Sequence, residues 1–196
     1  EKRSQEQLLA ANRLSSPEEP QLLTVFRPIL KNEFGVPAGR QLAAEGVGKS
    51  GDLPQVKELG PLLDGKVVAE VRHTAAAAIL RLASGDPGLL TTASLSWAQG
   101  ELGSGSLSRR LLALQVLGEL PSSQAVPLLA GAMQDSSVEI RMAAARSLGR
   151  RNERTAMTIL LESVSDSNEK VRNASLLALL ELSQRLSKRD ARGLLQ

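Results

Sequence analysis

The sequence predicts an all-α protein in which about five antiparallel helical pairs are stacked side by side. Three observations support this prediction: an internal repeat of about 31 residues, an apolar content made mostly of Leu, Ala and Val, and a scarcity of aromatic side chains. Of the 196 residues, 42% are hydrophobic but only 2% are aromatic. Strands favour aromatic and β-branched residues, so this composition favours helix packing. A period of roughly 20–50 residues is typical of stacked repeats.

The repeat is clearest in DSSVEIRMAAARSLG (135–149) and DSNEKVRNASLLALL (166–180), which lie 31 residues apart. Each contains an Arg that marks the register, and earlier arginines mark the same position. Three residues after this Arg stands a small residue, and seven residues after it an apolar one, so both fall on one helical face. The register arginines are Arg40, Arg72, Arg110, Arg141 and Arg172; the small residues are Ala43, Ala75, Ala113, Ala144 and Ser175; the apolar residues are Val47, Ile79, Leu117, Leu148 and Leu179.

A first helix is predicted before each of these second helices, at 21–30, 55–64, 89–102, 125–135 and 155–166. The turns between them contain Asp or Ser, whose side chains can cap the amides of the next helix. Gly48, Gly118 and Gly149 stand eight residues after the register Arg, where we expect a left-handed helix end. The interval from Arg72 to Arg110 holds seven extra residues. We expect the longer turn at 100–106.

The predicted organisation is a repeat array at 21–186, because one helical pair cannot cover its own apolar faces. A helical or flexible lead-in is expected at 1–20, and a cap or the start of a further repeat at 187–196. The array divides at about 21–51, 52–85, 86–120, 121–151 and 152–186.

The recurring motif is an Asp, then Val or Ile and Arg five to six residues later, then Ala, then Leu-Gly. It is complete at 135–149 and recurs with changes at 166–180. This motif resembles HEAT repeats and is similar to the bacterial phycobilisome-lyase HEAT-like repeats. The resemblance implies a right-handed α-α superhelix, the HEAT-repeat solenoid, in which Asp and Arg columns form a structural ladder between neighbouring repeats. The implied ladder residues are Asp135, Asp166, Arg72, Arg110, Arg141 and Arg172.

The sequence predicts no catalytic residue, no metal site and no cofactor. It has no Cys and one His, whereas zinc sites are built mainly from these residues. His73 therefore has no second His to work with, and a surface role is expected. EGVGKSG (45–51) lacks the Gly that opens a phosphate-binding loop and ends a helix, so no nucleotide is expected. No apolar run is long enough to span a bilayer, and membrane contact would need segments outside this chain.

A partner-binding surface is predicted one and five residues after each register Arg, because these positions lie off the buried face. The resemblance places the second helices on the concave side of the stack. Some of these residues are apolar where solvent is expected, which favours contact with a protein or peptide. The alternative is that they pack between adjacent repeats. The hypothetical concave-face residues are Gln41, His73, Leu111, Gln115, Met142, Arg146, Asn173 and Leu177.

Arg150, Arg151 and Arg154 form a hypothetical basic patch. The alternative is that they are cations compensating a helix C-terminus. The net charge is only +3, and residues 139–196 carry 11 basic and seven acidic side chains. This falls short of the dense basic face that is typical of nucleic-acid binders.

The expected function is therefore a non-catalytic protein- or peptide-binding module or scaffold, within a larger protein or assembly. Two alternatives stay open: a bilin-lyase-like chromophore chaperone, which the resemblance alone suggests, and a weak nucleic-acid binder through the basic C-terminal part. The compartment is undetermined. The cytoplasm is the default, and the periplasm would follow if a signal or anchor preceded Glu1.

Overall fold

The computed structural model describes residues 28–30, 37–50, 56–83 and 85–193, and the regular structure of these residues is entirely helical. The prediction of an all-α fold is confirmed. The expected lead-in at 1–20 and most of the first helix at 21–30 lie outside the described residues. The α-helices are α1 Pro37–Ser50, α2 Val56–Leu59, α3 Ala69–Ala83, α4 Thr92–Glu101, α5 Leu107–Glu119, α6 Ala125–Ala132, α7 Val138–Gly149, α8 Arg154–Ser163 and α9 Glu169–Gly193.

The chain forms two compact units, residues 1–97 and 98–196. In the first unit α3 packs against α1 on one side and against α2 with its 3-10 turn, Gly60–Leu63, on the other. The helix expected at 55–64 changes to a 3-10 turn because Pro61 has no amide hydrogen for the α-helical ladder. Leu62 and Leu63 of this turn are buried.

The second unit contains three successive helical pairs: α4 precedes α5, α6 packs against α7, and α8 packs against α9. The second helices also pack on each other, α5 on α7 and α7 on α9, which joins neighbouring pairs. The last of them is much longer than the others, since α9 continues without a break to Gly193.

The buried face of the second helices is the one that the repeat predicts. Ala113, Ala144, Leu117 and Leu148 are completely buried in the second unit, and Ala43, Ala75 and Val47 in the first. Ser175 takes the small-residue position of α9, where it is buried and accepts a hydrogen bond of 2.7 Å from Ser163 of α8. Small residues at this position let the two helices of a pair approach closely.

The glycines at the helix ends have a different role from the expected one. None of Gly48, Gly118 and Gly149 has a positive φ, so they are not left-handed caps. They lie against the following second helix instead: a Cβ on Gly149 would stand 2.8 Å from Ala178, and one on Gly118 would stand 3.0 Å from Ser147. These glycines are therefore required by the close contact between consecutive repeats, rather than by backbone conformation.

The longer turn was expected in the wrong place. The turn at 102–106 has the same length as those at 133–137 and 164–168. The extra residues lie before α4: α3 extends to Ala83, and Pro87–Leu89 forms a 3-10 turn. Gly85, Pro87 and Gly88 punctuate this connection, which is why a Gly-rich segment alone did not identify it.

Candidate partner-binding groove

A groove of about 380 Å³ lies between α7 and α9 in the second unit. Met142 and Arg146 line it from α7, and Asn173 and Leu177 line it from α9. These four residues belong to the concave-face set that the repeat register predicts, and the structure brings them together. The remaining lining residues are Arg150, Lys170, Ala174, Ala178 and Glu181.

The packing of the second helices explains why these side chains meet. Helices α7 and α9 contact each other along their length, since Gly149 leaves no side chain between them and Ala178. The residues one and five positions after each register Arg therefore face a common channel. Sequence reasoning missed Lys170, Arg150 and Glu181, which stand two before or nine after a register Arg. The same helical spacing, extended by one step each way, would have found them.

The groove combines an apolar floor with mostly basic walls. Leu177 is 64% exposed, which is unusual for a leucine, and Met142 beside it is half-buried. Among the described residues, no carboxylate forms an ion pair with Arg146 or Lys170, whereas Arg150 binds Glu119 at 2.9 Å. An exposed apolar strip flanked by unpaired cations suits a segment that offers an apolar side chain and carboxylates.

The other predicted concave-face residues do not line this groove. Leu111 and Gln115 lie on α5, where the former is half-buried and the latter exposed. Gln41 on α1 is exposed and His73 on α3 is half-buried, and both belong to the first unit.

The Asp and Arg residues of the implied ladder are paired in the second unit. Arg141 donates from Nε and Nη2 to the carboxylate of Asp166, at 2.8 and 3.0 Å, and Arg110 binds Asp135 in the same way. Each Asp also accepts the amide two residues on, from Ser137 or Asn168, at 2.8 Å. One carboxylate therefore closes its own turn and holds the preceding repeat.

The register arginines also hold the turns of their own repeats. Arg141 donates to the carbonyl oxygens of Asp135 and Ser136, and Arg72 donates to those of Gly65 and Val67. The hydrogen bond from Arg141 lowers the pKa of Asp166 below its ordinary value, although partial burial of the carboxyl raises it. The same hydrogen bond raises the pKa of Arg141. The pair is therefore most stable with both side chains charged.

Arg151 does not fit the hypothesis of a basic surface patch, because its side chain is only 6% exposed. It donates to the carbonyl oxygens of Leu117, Leu120 and Ser122 and binds Glu153. It thus closes the end of α5 and the loop that follows. Arg150 and Arg154 are exposed, and the former also accepts a bond of 2.7 Å from Arg185 at its carbonyl oxygen.

The part of the chain that the structure describes contains no cluster of three or more His, Asp or Glu that would hold a metal ion. Within the same residues, no helix has both the length and the apolar character needed to cross a bilayer. Trp97 is buried, so it offers no exposed ring on which a base could stack.

Comparison with known families identifies residues 101–180 as HEAT repeats. This stretch contains α5 to α8 and most of the motif that suggested the resemblance, which is confirmed. A search of curated proteins finds no match to this sequence.

Solved structures of helical-repeat proteins resemble this chain in fold. An engineered protein from the Northeast Structural Genomics Consortium is 18% identical, with 92% of each chain covered and a TM-score of 0.69. A designed armadillo repeat protein in complex with the peptide (KR)4 is 19% identical, with 89% of this chain and 91% of that chain covered and a TM-score of 0.66.

A naturally occurring protein shows the same likeness. The CpcE–CpcF complex of phycocyanin lyase from Nostoc sp. PCC7120 is 20% identical, with 89% of this chain and 68% of that chain covered and a TM-score of 0.57. At these identities the likeness shows the fold: helical pairs of the HEAT and armadillo type, as the repeat predicts.

Proposed function

We propose that the protein is a non-catalytic binding module that holds an acidic segment of a partner protein in the groove between α7 and α9. The observation that supports this proposal is the exposed Leu177 beside Met142, with Arg146 and Lys170 on the walls. The solved structure of a designed armadillo repeat protein with a basic peptide is a precedent for peptide binding by such folds. Here the unpaired charges are basic, so the complementary segment is acidic.

The residue types in the groove favour binding over catalysis. Its ionisable groups are three cations and Glu181, and it contains neither a His nor a Ser that a base could activate. General acid–base or nucleophilic chemistry needs such groups within hydrogen-bond reach of each other. A peptide, by contrast, needs only an apolar anchor and matched charges.

The test is a binding titration with a short synthetic peptide that has a central leucine and glutamates on both sides. We expect the chain to bind it at least about tenfold more tightly than the same peptide with lysines in place of glutamates. The double variant Met142→Asp/Leu177→Asp should weaken binding of the acidic peptide by about tenfold or more, because it removes the apolar floor and repels the glutamates.

The matched control is Leu176→Asp/Leu180→Asp, which changes two exposed leucines of α9 that do not line the groove. It should leave the acidic peptide's affinity unchanged. Equal binding of the acidic and basic peptides, or equal affinity of the groove variant and the natural chain, would contradict the proposal.

A further inference from the structure

The outward face of the last helical pair, α8 and α9, resembles a stacking surface more than a cap. Four residues after the register Arg, the earlier second helices bury their side chain, as Leu114 and Ala145 show. The equivalent residue of α9, Leu176, is 54% exposed. Eight residues after the register Arg, Gly118 and Gly149 are buried, whereas Leu180 is 55% exposed.

The first helix of this pair is uncovered in the same way. Val126 and Met133 of the preceding pair are 6% and 5% exposed. Met157 and Val164 stand 31 residues later and are only half-buried. Both helices therefore expose positions that are covered in the preceding repeat. We call the surface formed by Met157, Val164, Leu176 and Leu180 the end face. Repeat proteins normally close such an end with polar side chains.

Arg172 repeats the same pattern in its charge. Its Nη1 donates to the carbonyl oxygens of Asp166 and Ser167, as Arg141 does to its own turn. Arg110 and Arg141 in addition each hold the aspartate of the following repeat. Among the described residues, no carboxylate forms an ion pair with Arg172. The end face thus offers both halves of the contact that joins consecutive repeats: an apolar surface and a guanidinium.

We propose that the end face binds a HEAT-like helical pair of a second polypeptide, which places a turn aspartate on Arg172 and small side chains on Leu176 and Leu180. The earlier contacts define this partner, because Asp166 meets Arg141 and Ala178 meets Gly149 in the same arrangement. The described part of this chain does not supply such a pair. Helices α5 and α7 end at Glu119 and Gly149, but α9 continues to Gly193 as one helix instead of turning back.

The probe for this proposal is a synthetic peptide of residues 152–182 with a fluorophore at its N-terminus. It contains the pair that stacks on α7, with Asp166 at its turn and Ala178 on its contact face. Titration with the full chain should give saturable fluorescence anisotropy. Leu176→Asp/Leu180→Asp in the chain should weaken binding by about tenfold or more, because two apolar contacts are lost and carboxylates are buried. Asp166→Asn in the peptide should weaken it several-fold.

The control is Leu177→Asp, which lies on the same helix but lines the groove. It should not change the probe's affinity, and circular dichroism should show the same helix content for all chains. Absence of saturable binding, or equal binding by the end-face variant, would overturn the proposal. So would exchange of the probe for the chain's own last pair, since exchange does not depend on Leu176 and Leu180. Dimerisation abolished by the end-face substitutions, without probe binding, would assign the surface to a second copy and overturn it as well.

Discussion

At the scale of single residues, the repeat depends on a few side chains that serve two neighbours at once. Asp166 closes its own turn through the amide of Asn168 and binds Arg141 of the preceding repeat. Gly149 and Ala178 let α7 and α9 approach until no larger side chain fits between them. Such residues couple local structure to stacking, so their substitution should destabilise more than one element.

Gly149→Ala should destabilise the protein by about 1–3 kcal/mol, because the new methyl group would stand 2.8 Å from backbone and side-chain atoms of Ala178. Urea unfolding followed by circular dichroism measures this. The matched control is Gly131→Ala on α6, where a Cβ meets nothing within 4 Å. It should stabilise the chain by about 0.5–1 kcal/mol, since alanine favours the helix. Equal effects at the two positions would contradict the proposed role of Gly149.

Asp166→Asn should lower the melting temperature at neutral pH, and the difference from the natural chain should shrink in acid. The pKa of Asp166 is lowered in the folded state by the hydrogen bond from Arg141. A lowered pKa means that the stabilisation is complete above the unfolded pKa and is lost as the pH falls through the folded value. Asparagine keeps an oxygen for the amide of Asn168, so the substitution removes mainly the ion pair.

Melting curves of both chains between neutral pH and about pH 2 test this, because ordinary carboxyl groups titrate near pH 4. Glu162→Gln, which changes an exposed carboxylate, is the control and should alter neither the melting temperature nor its pH dependence appreciably. A constant difference between Asp166→Asn and the natural chain across this range would show that the charge of Asp166 is not what stabilises the turn.

At the scale of helices, the sequence predicts the elements well and their punctuation poorly. The first helices expected at 89–102, 125–135 and 155–166 agree with α4, α6 and α8 within three residues at each end. The seven extra residues were assigned to the wrong turn, because several segments of this chain are Gly-rich and glycine alone does not tell which one is longer. The register also predicts half of the groove from one helix's own periodicity.

The role of Arg151 lies beyond a prediction from sequence, because it depends on neighbouring elements. In GRRNER three cations look equivalent, yet only this one turns inward to carbonyl oxygens that are some 30 residues earlier in the chain. The carbonyl groups at the end of α5 have no other helix partner, so the guanidinium substitutes for a missing turn of helix. Helical periodicity contains no information about such a long-range partner.

Arg151→Met should therefore destabilise the protein by about 2–4 kcal/mol, because several buried carbonyl oxygens lose their donors while the apolar stem is kept. Arg146→Met, at an exposed position of α7, is the control and should change stability by less than about 0.5 kcal/mol. Urea unfolding compares the two variants. A loss for Arg151→Met as small as for the control would show that water replaces the guanidinium without cost.

At the scale of the whole molecule, charge separates the proposed function from nucleic-acid binding. The net charge is only +3, and the described ladder cations are partly neutralised by aspartates. Nucleic-acid binding would need many free cations on one surface, and its affinity would fall steeply with salt. The groove has only Arg146 and Lys170 without ion pairs among the described residues, which suits a short acidic segment better than a phosphate backbone.

Salt should therefore weaken binding of the acidic peptide only several-fold between about 50 and 500 mM, because two partly exposed charges are screened over a Debye length of about 10 Å or less. Arg146→Gln/Lys170→Gln should bind the peptide more weakly than the natural chain at low salt, and the two affinities should converge at high salt. Their unfolding midpoints should be equal, since both positions are exposed. Duplex DNA added as a competitor at moderate salt should not displace the peptide. Displacement by DNA together with a steep salt dependence would favour the nucleic-acid alternative, because only the release of many counterions from a phosphate backbone produces that dependence.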